Sequence, residues 1–578
     1  MSGILDPVTG LVVEPGEVQV PETPQEPGIP GAPAGPIDLP NATQLCERLL
    51  PYFPFEEIRA PQVRGLQAWS NAVSKSKSFA IEELPTGSGK SGLAWTIGSH
   101  AVDQPCAGFQ PGAYILTTQK ALQQQYMRDF ADKGMADLKG ASNYHCHDYN
   151  TDCQTGSLIR QGLKKSGTEV FTCGSCEYRE AKLNFISSPL GVTNFAYFLS
   201  EVQHVHMLKP RSVLIIDEAH NTESQLLGMV EIEITPQRCE SLGCPRPPAI
   251  ADGAILDARA FVLDKFLPCV SAQVLELEDE LNTASLAQRA ILSKQVANLN
   301  QFVGRIKAIQ DTAGLHDWFC NTDPKTGTLK LRPLTAATFA PEFLFKMGHR
   351  VLFLSATILD AGAFARGLGL NPADGGFCRV ESDFPVENRP VHVYPVGSMS
   401  FKNKQATTPK LLRFIERILL KHATEKGIIH AVSYSLAKQI KEYLDSVGLG
   451  HRILMPESGY QQRKEHLEFH HNSDQPTVLL SPSMTEGLDL VGDLSRFQIV
   501  PKIPWPAIND PFVKARMEHD PSWLTWQTAL TLVQATGRSV RSREDTATSY
   551  ILDTDFNNFM SRAGGILPKW WTGSLIYH

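Results

Sequence analysis

Leu84-Pro85-Thr86-Gly87-Ser88-Gly89-Lys90-Ser91 gathers into eight residues the groups that hold a polyphosphate. Glycines at 87 and 89 let the backbone curl and bring its N–H groups close to phosphate oxygens, with Thr86 and Ser88 completing the loop. Lys90 adds a point positive charge and Ser91 a hydroxyl for Mg²⁺. Leu84 stands where the strict pattern has its first glycine. A second cluster, Asp217-Glu218-Ala219-His220, follows the aliphatic run Val213-Leu214-Ile215-Ile216. Asp217 can hold Mg²⁺ through water, and Glu218 can orient and deprotonate the water that attacks a phosphoanhydride. Together the two clusters describe ATP hydrolysis.

Other residues add to that site. Gln62, 28 residues before Lys90, is expected to hydrogen-bond the adenine edge. Gln534, Arg538 and Arg541 lie in Gln534-Ala535-Thr536-Gly537-Arg538-Ser539-Val540-Arg541, read as part of a helix begun near Ser522. On that reading the two arginines, three apart, share a face and reach the γ-phosphate as an arginine finger does. Thr117 to Gln125, hydroxyls and amides opening a helix after a strand, suits the phosphates of a nucleic-acid backbone. Ser355 and Thr357 end another apolar strand, where hydroxyls can link nucleotide state to movement.

Cys146, Cys153, Cys173 and Cys176 form a separate group spaced C-x6-C-x19-C-x2-C. Four thiolates suit a tetrahedral zinc or an iron–sulfur cluster, and spacing does not choose between them. His145 and His147 keep a mixed zinc site open. Cys239 and Cys244 flank nothing that completes a site and are read as structural.

These groups need a scaffold. Apolar strand, Gly-rich turn and helix, repeated along the chain, predict an α/β fold with parallel sheets flanked by helices. A mostly helical stretch, from Thr222 to about Ala340, interrupts the first such domain, with long periodic segments at 254–280 and 285–311. A second α/β domain begins near Pro390, with strands at 427–434 and 478–481 and a helix at 437–447. The net charge of −7 is concentrated in residues 1–45, which hold six carboxylates, nine prolines and no Lys or Arg. That composition predicts a disordered acidic tail, with docking to a protein partner, or shielding of a basic groove when nucleic acid is absent, as its sharper role. The remainder is near −1, compatible with a local basic groove. The chain has no apolar run that spans a bilayer and no signal-peptide pattern, so a cytoplasmic protein without membrane contact is expected.

Taken together, the stretches from Phe55 to Trp571 resemble the DinG/XPD-like iron–sulfur branch of superfamily 2 helicases. The resemblance rests on the Asp217–His220 box, the cysteine group before it, the helical insertion after it, Glu486-Gly487-Leu488-Asp489 and the Gln534–Arg541 box. It implies two RecA-like motor domains with ATP and Mg²⁺ between them. It also implies a [4Fe–4S] cluster on Cys146, Cys153, Cys173 and Cys176, with zinc as the alternative. Asp489 resembles the residue that couples the ribose to closure. The implied organisation is a tail at 1–45, first-motor segments at 46–138, 183–222 and 341–385, an iron–sulfur domain at 139–182, a helical arch at 223–340 and a second motor at 386–578. The expected activity is 5′→3′ movement on single-stranded DNA and unwinding of forked or 5′-tailed duplex, by a monomer in a bacterial or virus-infected bacterial cell. A remodelling ATPase that does not unwind, and an RNA-directed helicase, are the alternatives.

Overall fold

The structure, a computed structural model, describes residues 47–104, 106–165, 176–205, 207–311, 317–455, 460–481, 490, 492–537 and 539–578, together with 4–5 and 12–13. The expected disorder of the tail, and the placements of Cys173, Glu486, Asp489 and Arg538, therefore lie outside the described residues.

Two seven-stranded sheets carry the fold, and every pairing in both is parallel. In the first sheet the order is Gly375–Arg379, Phe79–Glu83, Gly348–Ser355, Arg211–Asp217, Gln110–Thr117, Leu190–Asn194, Ala136–Leu138. Its central strands are buried on both faces, which is why Val213 to Ile216 and Val351 to Leu354 read as unbroken apolar runs. In the second sheet the order is Ile453–Leu454, Val478–Ser481, Gly427–His430, Phe497–Val500, Thr548–Asp553, Val391–Gly397, Leu575–Tyr577. The first sheet places Phe79–Glu83 beside Gly348–Ser355, which in turn borders Arg211–Asp217, so the P-loop and Asp217 emerge at the same carboxyl edge.

The insertion is not purely helical. Ile232–Ile234, Leu329–Pro333 and Trp318–Thr322 form an antiparallel three-stranded sheet. Its strands are short, and their signal is a period of two: Ile232, Ile234, Leu329 and Leu331 are buried while Glu233 faces outward. Helices Leu267–Thr283 and Leu286–Asp311 pack on each other, and both touch the helix Cys153–Lys165, so the cysteine region and the arch meet. In the second lobe the helix after Gly427–His430 runs Tyr434–Ser446, three residues earlier than the apolar period suggested. The Ser433 hydroxyl accepts from Leu436 N at 3.2 Å and fixes that start.

Glu82, beside the P-loop strand's end, is fully buried, and neither carboxylate oxygen has a hydrogen-bond partner among the described residues. Burial pushes its pKa well above the ordinary carboxylate range. The folded state therefore holds a proton that the unfolded chain releases, so this group lowers stability progressively as pH rises above the unfolded value of 4.5. Glu82→Gln, which resembles the protonated acid, is expected to raise stability at pH 8. The gain accumulates at about 1.4 kcal/mol per pH unit until the folded pKa is passed, and vanishes below the unfolded pKa. Denaturant melts of both chains across pH 4 to 8 check this; parallel curves refute it.

Candidate nucleotide cleft between two lobes

The P-loop takes its shape from two residues in the left-handed region, Gly87 at φ 76° and Gly89 at φ 81°. Gly89 caps the helix Lys90–His100, whose N-terminal N–H groups face the loop. Lys90 Nζ rests 3.4 Å from the Leu84 carbonyl. Gln62, in the first turn of the helix Ala60–Ser74, donates to the Gly89 carbonyl at 3.0 Å and accepts from Arg59 N at 2.9 Å. Arg59 Nη1 donates to the Gly87 carbonyl at 2.7 Å. Gln62 thus braces the loop.

Asp217 is buried at the end of its strand, accepting from Tyr126 Oη at 2.8 Å and from Glu218 N at 2.9 Å. Glu218 itself adopts φ 53°, a left-handed conformation uncommon outside glycine, which turns its carboxylate into the cleft. Burial first, and the charge of Glu218 second, push the Asp217 carboxyl up to about 6, while Lys90 opposes the shift. A divalent cation at this pair offsets both causes, so the donor set fits Mg²⁺.

A hydrogen-bonded path leaves this pair for the other lobe. His220 Nδ1 lies 3.4 Å from Glu218 Oε2 and 2.8 Å from the Ser355 hydroxyl. The Ser355 oxygen accepts from Thr357 N at 3.1 Å, and Thr357 Oγ1 accepts from Gln534 Nε2 at 3.0 Å. Gln534 sits on the helix Trp523–Gly537 of the second lobe. That helix ends at Gly537 and Arg541 lies beyond it, so the expectation of a shared helical face fails at Arg541, while Arg538 lies outside the described residues. Arg541 still reaches the cleft by another route, its carbonyl lying 2.3 Å from where a Cβ on Gly87 would stand.

Thr86, Lys90, Glu218, Thr357, Gln534 and Arg541 line one cavity of about 330 Å³. Gln119, Gln124 and Gln125, expected on a nucleic-acid path, line the same cavity. Residues that motif reading missed are Tyr126, which holds Asp217, and Phe384, Arg389 and Trp570 on the cavity wall. None belongs to a recognisable local pattern.

In the cysteine region, Cys153 and Cys176 Sγ atoms lie 3.8 Å apart. Cys146 is buried against the first turn of the helix Cys153–Lys165, its Sγ 2.4 Å from where a Cβ on Gly156 would stand. Among the described residues no three Cys, His, Asp or Glu side chains are grouped to hold a metal ion. His145 and His147 pack edge to face, with His147 3.4 Å from Glu177. Cys239 and Cys244, expected to stand without a third partner, have one: Cys269 lies close enough to raise the pKa of both, although burial is the larger cause in each.

Two parallel sheets with a P-loop at the edge of one and a polar cleft shared with the other define a two-lobed nucleotide-dependent motor. Residues 416–574 match a helicase C-terminal domain, and residues 55–240 match the res subunit of type III restriction enzymes. The chain is 22% identical to the ATP-dependent DNA helicase YoaA of Escherichia coli over 86% of its own length and 91% of that protein's. It is 22% identical to the ATP-dependent DNA helicase DinG of Photobacterium profundum over 48% of its length and 43% of DinG's. Among solved structures, S. tokodaii Xpd4 aligns with TM-score 0.55 at 14% identity, covering 90% of this chain and all of that one. An XPD helicase aligns with TM-score 0.60 at 12% identity, over 91% of this chain and 100% of its own. These matches in sequence and fold support a DinG/XPD-like superfamily 2 helicase.

Gly87→Ala is expected to cut ATP turnover at least about tenfold, because the added methyl meets both a positive φ and the Arg541 carbonyl. Steady-state hydrolysis with a parallel thermal melt checks this. Full turnover in a folded variant refutes the closeness of the lobes at Gly87.

Proposed function

We propose that this chain is an ATP-dependent DNA helicase that moves 5′→3′ along single-stranded DNA and separates duplex ahead of it. The reading rests on one observation above the others: Thr86 and Lys90 of the P-loop and Glu218, the neighbour of the buried Asp217, share a cavity with Gln534 and Arg541 of the second lobe. A nucleotide held there touches both lobes, so gain and loss of its terminal phosphate change how firmly they close. The names of the relatives, ATP-dependent DNA helicases, favour DNA as the track.

In this mechanism Lys90 and the P-loop N–H groups bind the phosphates. Ser91 and Asp217 hold Mg²⁺, which screens the phosphate charge. Glu218 takes the proton of the attacking water, with His220 beside it. Arg541 and Gln534, joined by Arg538, approach from the second lobe, and Asp489 is assigned to the ribose and to closure. Gln62 is assigned to the adenine edge, next to its contact with Gly89. If each lobe grips the strand through its phosphates, alternate closing and opening ratchets the strand through.

Cys146, Cys153, Cys173 and Cys176 are the ligands we assign to a [4Fe–4S] cluster, with zinc as the alternative. The 3.8 Å approach of two of these thiols and the burial of a third beside the same helix support a shared metal. Its role is structural, at the point where duplex splits against the neighbouring arch. The substrate forms proposed are single strands and forked or 5′-tailed duplex, engaged by a monomer. Among the described residues, no helix is long and apolar enough to cross a membrane.

Lys90→Ala and Glu218→Gln are expected to lower ATP hydrolysis by about a hundredfold or more while the fold survives, the second retaining ATP affinity. A normal rate in either removes that residue from its role. Cys176→Ser, purified anaerobically, is expected to lose its metal and forked-duplex separation but to keep hydrolysis. Undiminished metal content means that the ligands are others. A 5′-tailed forked-duplex assay on the unaltered chain tests the whole reading. Hydrolysis without strand separation favours the remodelling ATPase, and stimulation by RNA over DNA favours an RNA track.

A further inference from the structure

Arg389 lies in the segment that joins the lobes, between strand Gly375–Arg379 of the first sheet and Val391–Gly397 of the second. It is 7% exposed and lines the same cavity as Lys90, Glu218, Gln534 and Arg541. Two contacts fix it. Its guanidinium carbon stacks 4.4 Å from the centroid of Trp570, and Nη2 donates to the Phe384 carbonyl at 3.0 Å. Its Nε is buried and has no acceptor among the described residues.

The surroundings explain its position without using up its charge. Glu381 and Asp383 are near enough to act on it, yet burial dominates and lowers its pKa to about 10. Glu381 spends its carboxylate elsewhere, accepting from Trp570 N at 3.2 Å and Lys569 N at 3.4 Å, which seats the ring on which Arg389 stacks. On the other side, Phe384 Cζ lies 3.1 Å from where a Cβ on Gly87 would stand. Arg389 is thus tied through Phe384 to the P-loop of one lobe, and through Trp570 to the other. The Arg541 carbonyl, 2.3 Å from where a Cβ on Gly87 would stand, marks this part of the loop as turned to the second lobe. A buried, planar cation with spare donors in a polar cavity is matched by the oxygens of a phosphate.

We propose that Arg389 contacts the terminal phosphate of bound ATP from the hinge and makes the cleft discriminate ATP from ADP. The inference rests on the nucleotide site proposed above and adds to it a cation outside the Gln534–Arg541 box. ATP then draws Phe384, Arg389 and Trp570 together, and ADP leaves the Arg389 donors without that acceptor.

The test is calorimetric titration of the full chain, with Mg²⁺ and without nucleic acid, using AMP-PNP and ADP as probes. Arg389→Ala is expected to weaken AMP-PNP by about 10- to 100-fold, the worth of a charge-assisted contact, and ADP by less than about 3-fold. Arg389→Lys keeps the charge and most of the volume but not the planar fork, and is expected to fall between the two. Equal loss for both nucleotides, or no loss for either, overturns the proposal. Should the alanine variant fail to fold, the lysine variant decides: unchanged discrimination refutes the contact. Failure of the unaltered chain to bind AMP-PNP overturns it together with the nucleotide site. Because no strand is present, a failure to unwind DNA leaves this result standing, and the two readings fail separately.

Discussion

The path Glu218, His220, Ser355, Thr357, Gln534 is the interaction on which the rest of this molecule depends. It runs from a carboxylate that lines the cleft, through the end of a neighbouring strand, into a helix of the other lobe. The links from Ser355 through Thr357 to Gln534 are buried, where hydrogen bonds are electrostatically strong and costly to leave unmade. These contacts join the cleft carboxylate of the first lobe to the lobe interface. The parallel sheet makes this possible, because strands Gly348–Ser355 and Arg211–Asp217 are neighbours and end together at the carboxyl edge.

The same interface also has to be held. Trp526 of the second lobe donates its indole N–H to the Ile358 carbonyl at 2.7 Å, and a continuous apolar core includes Phe353 and Phe364 from one lobe with Trp526, Leu530 and Trp571 from the other. Arg516 pairs with the buried Glu223 at 2.5 Å, and Arg366 with Asp520 at 3.0 Å. Burying an unmatched charge is expensive, so the buried Arg516–Glu223 pair fixes the relative register of the lobes more than it stabilises either one. The interface between the lobes therefore has a polar cleft and an apolar seam.

The insertion after His220 brings a second relation. Its long helices pack against Cys153–Lys165, so the cysteine region is clamped between the first sheet and the arch. Tyr144 and Tyr178, flanking the cysteines, pack on the main core, with Tyr178 Oη 3.0 Å from Tyr197 Oη.

Much of this was legible in the chain. The glycines of the P-loop, the carboxylates after Ile216 and the apolar runs of the parallel strands announce themselves, because loop geometry, charge and two-sided burial each restrict residue type over a few adjacent positions. The three-stranded sheet of the arch was legible too, in the alternation of Ile232, Glu233 and Ile234, but its short strands were outweighed by the helical periods on either side. Gln534 and Arg541 were found as a motif and then misplaced on one helix, because local periodicity does not say where a helix ends and this one stops at Gly537. What only the tertiary structure decided is partnership across distance. That Tyr126 holds Asp217, that Cys269 joins Cys239 and Cys244, and that Arg389 enters the cleft between Phe384 and Trp570 depend on packing between segments far apart in the chain. A sequence restricts neighbours through bonds and periodicity; contacts between distant segments are chosen by the burial of whole faces, which no short stretch records.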